Sequence, residues 1–218
     1  MEWFDIYSYA YLAPMIAKVF FNFDSALANL IGAFIIFGSG FISRPFGSIV
    51  FGRIGDLLGR RKAFIYSLFG VTGCTLCMGC LPTYATAGIY APICLGLLRI
   101  LQSIPASGEV PGAICFLYEN SQVENRRFIT SWTGVGNQIG AILGIAQSFL
   151  MDQFMSEDFL TSWGWRIVFW SGGFLGFFGI YLRSQLYETP VFKALKEHHR
   201  VDKQTFSTVI MNCKKKLG

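Results

Sequence analysis

Four ionisable side chains stand inside long apolar runs: Asp5, Arg44, Arg99 and Glu109. A charge at the centre of a membrane-spanning helix costs about 2.5–3.5 kcal/mol on insertion scales, so such residues face a partner or a water-filled cavity and mark substrate or ion paths. Glu2 joins them at the mouth of the first run. Glu2, Asp5 and Tyr9 are three and four residues apart and share one helical face. Arg44 precedes Arg53 by nine residues, about 13 Å along a helix, which puts an Asp5–Arg44 pair within reach. That pair serves either as a structural tie or in gating and substrate binding. Arg99 and Glu109 are ten residues apart, about 15 Å and about 80° around a helix, so they face one cavity at different depths without pairing. Pro105 and Pro111 bracket Ser107-Gly108-Glu109. A helix broken at membrane depth is tolerated only beside protein or a wet cavity, and an acid at the break suits a substrate or ion site. Glu109 is then either a proton carrier or a carboxylate held by neighbouring donors.

Other chemistry is weaker. Cys74, Cys77 and Cys80 have an iron–sulfur-like spacing, but the fourth position three residues on is Tyr84. Small packing residues in a helix are the better reading, and no metal site or disulfide framework is expected. His198 and His199 read as a solvated pair. The chain contains no P-loop and no nucleophile elbow, so no enzyme is expected and no cofactor is implied.

The elements that position these residues follow from composition. Of 218 residues, 53% are hydrophobic and 14% charged, with 22 Phe; mean hydropathy is +0.46. Globular chains carry about 25% charged residues. An all-α membrane protein is expected, with six transmembrane helices over about 3–21, 27–51, 63–81, 89–118, 128–151 and 165–182. Gly136, Gly140 and Gly144 repeat at four-residue spacing in the fifth span and suit close helix packing. Residues 185–218 form a hydrophilic tail. Thr189 followed by Pro190 starts a short amphipathic surface helix there, and Lys214–Lys216 suits anionic headgroups.

Charge orients the spans. Of 18 Lys and Arg, four lie in 52–62, two in 119–127 and eight in the tail from Arg183, against none in the three loops on the other side. Both termini are therefore expected on the cytoplasmic side of a bacterial inner membrane, an even number of spans requires the same, and no cleavable signal is expected after Met1-Glu2-Trp3-Phe4-Asp5. The net charge of +5 sits in loops and tail, which points to lipid rather than nucleic acid.

The basic stretch Gly52–Lys62, GRIGDLLGRRK, reads as a Gly-punctuated cytoplasmic hinge loop containing Gly52, Asp56, Gly59, Arg60 and Arg61. It resembles the signature loop between the second and third spans of the major facilitator superfamily. Arg99-Ile-Leu-Gln102 is similar to that superfamily's span-four motif, with Ser103 where a glycine is usual. Gly140 is followed by Ala141, so the antiporter Gly-Pro signature of span five is absent. Glu2-Trp3-Phe4-Asp5, Arg44-Pro45-Phe46-Gly47, Gly108-Glu109, Trp163-Gly164-Trp165-Arg166-Ile167 and Glu188-Thr189-Pro190-Val191-Phe192 narrow the resemblance to the metabolite:proton symporter family, which includes proline/glycine-betaine carriers.

The resemblance covers residues 1 to about 195. It implies the N-terminal half of a major facilitator fold, a 3+3 inverted repeat. Asp56, Arg60 and Arg61 would then belong to a cytoplasmic gate, Asp56 favouring the positive end of the third span. Asp5, Arg44, Arg99 and Glu109 become candidates for substrate binding and proton coupling. The expected activity is proton-coupled symport of a small osmolyte or organic acid by alternating access, driven by a proton gradient. The family has twelve spans and this chain six. An inactive or half-size fragment, needing a second six-helix half or a homodimer, is therefore the alternative.

Overall fold

The computed structural model describes residues 1–189 together with Phe192 and Ala194. Among them every regular element is helical. Long rods are α1 (Glu2–Phe20), α2 (Ala26–Leu58), α3 (Arg60–Gly79), the consecutive pair α5 (Tyr90–Ala106) and α6 (Glu109–Asn120), α7 (Arg126–Phe154) and α9 (Trp165–Ser184). Two short helices, α4 (Tyr84–Ala87) and α8 (Glu157–Phe159), and a π-helical turn (Leu160–Gly164) fill the connections.

Four segments are long and apolar enough to cross a membrane: Ala26–Leu58, Arg60–Gly79, Tyr90–Asn120 and Glu157–Ser184. α1 and α7 fall short of that measure for a legible reason. α1 carries Glu2, Asp5 and Lys18, and the otherwise uncharged stretch 128–151 of α7 carries the amides Asn137, Gln138 and Gln147. α1 is nevertheless buried along most of its length, on Phe4, Tyr9, Leu12, Ile16 and Phe20. Glu2 and Asp5 face protein, and Lys18 faces outward.

α1 lies at the centre of the core. Tyr9 stacks on Phe37 of α2 at 5.3 Å between ring centroids, and Phe20 meets Trp165 of α9 edge-on at 5.0 Å. Offset and edge-to-face pairs of this kind add about 0.5–1.5 kcal/mol beyond burial. Elsewhere small residues let backbones close up. A Cβ on Gly47 would lie 2.2 Å from the Ile104 carbonyl oxygen, so α2 rests directly on α5. Gly40 meets Ser103 at the position where the superfamily's glycine is missing, and the Ser103 hydroxyl turns back to the Arg99 carbonyl at 3.0 Å.

The hinge differs from the expected loop. α2 does not stop at residue 51 but runs to Leu58, and α3 begins at Arg60. Only Gly59 leaves helical geometry, at φ +103°, a value side-chain-bearing residues rarely adopt. Gly52 and Gly55 therefore do not break the helix; a glycine inside a helix costs only about 1 kcal/mol relative to Ala. The span-four break is real but short: Ser107 and Gly108 form a turn between α5 and α6. Pro111 has no N–H, which leaves the Ser107 carbonyl without its helical donor. The acidic stretch expected as a loop at 152–164 is largely helical, because α7 extends to Phe154 and α8 runs into the π turn.

Thr189 caps the segment that follows α9: its Oγ1 accepts from the Phe192 N–H at 3.3 Å. The rest of the expected tail helix, His198, His199 and Lys214–Lys216 lie outside the described residues.

Candidate functional site

α1, α2 and α5 bring four of the charges into one layer. Asp5 accepts from Arg99 Nη1, and Arg99 is only 3% exposed. Arg99 Nη1 also donates to Gln102 Oε1 at 2.7 Å, and Gln102 Nε2 donates to Thr75 Oγ1 at 2.7 Å. The guanidinium stands over the Tyr9 ring at 4.6 Å and the Phe37 ring at 5.4 Å. Beside this group Arg44 pairs with Glu2 at 2.8 Å. Asp5 and Arg44 are therefore not partners. The spacing put both at one depth, but α1 presents Asp5 to α5 and Glu2 to α2.

Glu2, Asp5, Arg44, Arg99, Gln102 and Ser103 line a cavity of about 10 Å³. That is room for about one water. The layer is closed, and each charge in it has an opposite partner. A buried ion pair is weak evidence for stability in itself, but removing one partner leaves an uncompensated charge at a cost of about 3–5 kcal/mol. Asp5 is thus the acid that holds Arg99, together with Gln102 and the Tyr9 and Phe37 rings.

Glu109 does not line this cavity. It accepts from Arg183 Nη2 at 3.1 Å and from the Met1 amino group at 3.2 Å, while its Oε2 is buried without a partner. The ten-residue spacing from Arg99 does separate them in depth. The cavity that Arg99 lines is not shared by Glu109, because the turn at Ser107–Gly108 points Glu109 toward the end of α9. Arg183 in turn lies 3.5 Å over the Phe64 ring.

At the same end the basic stretch ties four elements. Asp56 pairs with Arg60 at 3.0 Å, and Arg60 Nε meets Glu119 of α6 at 3.2 Å. Glu119 Oε2 accepts from Thr189 Oγ1 at 2.7 Å. Glu188 Oε1 accepts from the Arg61 backbone N–H at 3.1 Å and the Thr189 N–H at 3.2 Å. Arg61 reaches the Ser184 carbonyl. The acid at the positive end of α3 is therefore Glu188, not Asp56, which sits in the last turn of α2. A Cβ on Gly59 would lie 2.3 Å from Glu188 Oε2, so the close approach needs glycine twice over. Gly52 faces open space.

Of the three span-five glycines, Gly144 meets the Phe4 carbonyl oxygen (2.5 Å from a Cβ) and Gly140 touches the Phe4 backbone nitrogen at 3.5 Å, whereas Gly136 has no neighbour within 4 Å. The α1–α7 contact thus uses two of them.

Gln102, Thr75, Glu119, Arg183 and Glu188 complete these networks. Gln102 was marked by its motif. So was Glu188, while Thr75, Glu119 and Arg183 gave no signal beyond being polar.

The profile of the sugar (and other) transporter family matches residues 1–216. The chain belongs to that family. It is thereby one of transporters rather than enzymes, and of the major facilitator superfamily. The chain is 38% identical over 193 residues to the proline/betaine transporter of Salmonella typhimurium (strain LT2), covering 88% of this chain and 39% of that one. It is 34% identical over 212 residues to the citrate-proton symporter of Klebsiella pneumoniae, covering 97% and 48%. The family member described here therefore spans between two fifths and half the length of these curated relatives. Its fold is similar to the partially occluded inward-open xylose transporter XylE of E. coli, with TM-score 0.80 and 15% identity, covering 92% of this chain and 49% of that one.

Proposed function

We propose that the chain forms the N-terminal six-helix half of a proton-coupled symporter in a bacterial inner membrane. It carries a small osmolyte or organic acid by alternating access. The observation that carries this reading is the buried Asp5–Arg99 pair, set in an otherwise apolar bundle where α1 meets α5. A carboxylate there has two stable conditions. Ionised, it holds Arg99; protonated, it releases a cation that can take a substrate carboxylate. That exchange couples a proton to a substrate without any cofactor, the proton gradient supplying the drive.

Six spans and a 3+3 repeat are supported by the packing. α1 lies on α7 as α5 lies on α2, and α3 pairs with α9. Positive charge at one end of the bundle supports both termini on the cytoplasmic side. The network from Asp56 through Arg60 and Glu119 to Thr189 then serves as the cytoplasmic gate, which opens when α2, α3 and α6 separate.

A half-size chain needing a second six-helix half, or a second copy, is the other reading. The coverage of the relatives favours it, as do the broad apolar faces of α2 and α7, where Phe46 is 69% and Phe128 67% exposed. The test is uptake of labelled betaine, proline and citrate into vesicles, with and without a pH gradient. It is run with the chain alone and with the chain paired with the C-terminal half of a relative. Gradient-driven uptake of one substrate supports the symporter. No driven uptake in either arrangement would sink it.

A further inference from the structure

A second cavity lies at the opposite end of the bundle from the gate, between α1, α7 and the π turn. It has a volume of about 280 Å³ and is lined by Tyr11, Leu12, Pro14, Met15, Ser148, Asp152 and Leu160. The sequence builds it from two helical repeats: Tyr11 and Met15 are four apart on α1, Ser148 and Asp152 four apart on α7. Ser148 is fully buried, yet its hydroxyl has no hydrogen-bond partner. An orphaned buried hydroxyl costs free energy that a ligand or water recovers. Asp152 stands at the exposed rim of the cavity within hydrogen-bonding reach of Tyr11; it makes no ion pair among the described residues, and no Lys or Arg lines the cavity. Lys18, the near cation, is engaged by Glu157 at 2.5 Å.

We infer that this cavity binds the ammonium-bearing end of a small zwitterion, with Asp152 facing the positive charge, the Tyr11 ring and the Leu12, Met15 and Leu160 side chains around its methyl or methylene groups, and the Ser148 hydroxyl on its polar atoms. The inference deepens the transporter reading and rests on it for direction: the site is a first stop at the outer mouth. The volume is several times the roughly 30 Å³ share of one water, enough for a small organic molecule. A hard metal ion needs about six oxygen ligands, and these walls are mainly hydrocarbon. An aromatic face with apolar walls suits a cation whose charge is spread over methyl groups. A tricarboxylate meets the wrong sign here, since the one charged residue lining the cavity is Asp152. Between the two named kinds of relative, the cavity favours a substrate like proline or betaine over one like citrate.

The test is equilibrium binding of radiolabelled glycine betaine to the full chain in nanodiscs, with citrate and sodium chloride as competitors. Wild type binds betaine, and neither citrate nor sodium displaces it. Asp152→Asn weakens binding by about tenfold or more and Ser148→Ala by about threefold. Glu157→Gln, outside the cavity, leaves binding unchanged. Thermal unfolding is recorded for each variant, and the comparison uses only variants whose midpoint matches wild type; Asp152→Glu should restore part of the affinity. Betaine binding that ignores Asp152→Asn in a folded protein, absence of betaine binding, or displacement by citrate would each overturn the inference. Asp152-dependent binding without driven uptake would keep the site and reject the symporter. Driven uptake with unaltered KM in Asp152→Asn would do the reverse.

Discussion

The two ends of α1 are built on opposite rules. Toward its start every acid is matched: Glu2 with Arg44, Asp5 with Arg99, and the cavity between them holds only about 10 Å³. Toward its end the buried Ser148 hydroxyl stands unmatched beside about 280 Å³, with Asp152, free of any ion pair among the described residues, at the exposed rim. Charge that is paired fixes helices against one another. Charge left unpaired beside a void is available to something that arrives. One helix thus carries a closed charged layer toward its start and an open cavity toward its end.

This contrast ranks the expected effects of substitution. Arg99→Gln strands Asp5 in the closed layer and should destabilise by about 3–5 kcal/mol, read as lost folded yield and a lower melting temperature in detergent. Asp5→Asn made in that background should recover much of the loss; no recovery would mean that Arg99 acts through packing on Tyr9 and Phe37. Gly176→Ala comes next. Its Cβ would lie 2.1 Å from Thr72 Oγ1, where α9 crosses α3, and overpacking of this kind costs about 1–3 kcal/mol. Gly136→Ala, made in open space inside α7, is the matched control and should hold or raise the melting temperature, by up to about 1 kcal/mol of helix propensity. Arg60→Gln removes the contacts to Asp56 and Glu119, and should cost about 1 kcal/mol while raising the transport rate of a paired protein if the gate limits it. The smallest effect belongs to Lys18→Met at the outer end. Its pair with Glu157 is solvent-exposed, and the melting temperature should not move measurably.

Much of this was legible in the sequence, and the misses have physical causes. Apolar runs of spanning length gave the rods within a few residues, because burial of backbone groups in lipid leaves only helices. The break near Glu109 was legible from Pro105 and Pro111. The hinge was misjudged because glycine reads as a breaker, while here Gly55 is a close-approach residue: a Cβ on it would stand 2.9 Å from Arg60 Nη1. Pairing was the hardest to see. Periodicity fixes the face and depth of Asp5 and Arg44, but which helix lies opposite each face depends on how α1 packs between α2 and α5. Glu188 shows the same limit, since it meets the Arg61 N–H across 127 positions of sequence. Nothing local to either residue encodes that contact. The outer cavity escaped notice for a further reason: Tyr11, Ser148 and Asp152 are each ordinary in sequence, and only the fold places them around one space.

The central claim is that Asp5, held by Arg99, carries the coupled proton. Its most direct test is betaine uptake by Asp5→Asn, in the chain paired with a second half, measured as gradient-driven accumulation and as counterflow exchange. Glu109→Gln is run beside it, since Glu109, like Glu2, is a further buried acid. The account predicts that Asp5→Asn abolishes accumulation and leaves exchange, while Glu109→Gln retains both. Accumulation that survives in Asp5→Asn and is lost in Glu109→Gln would contradict it and move the proton to Glu109.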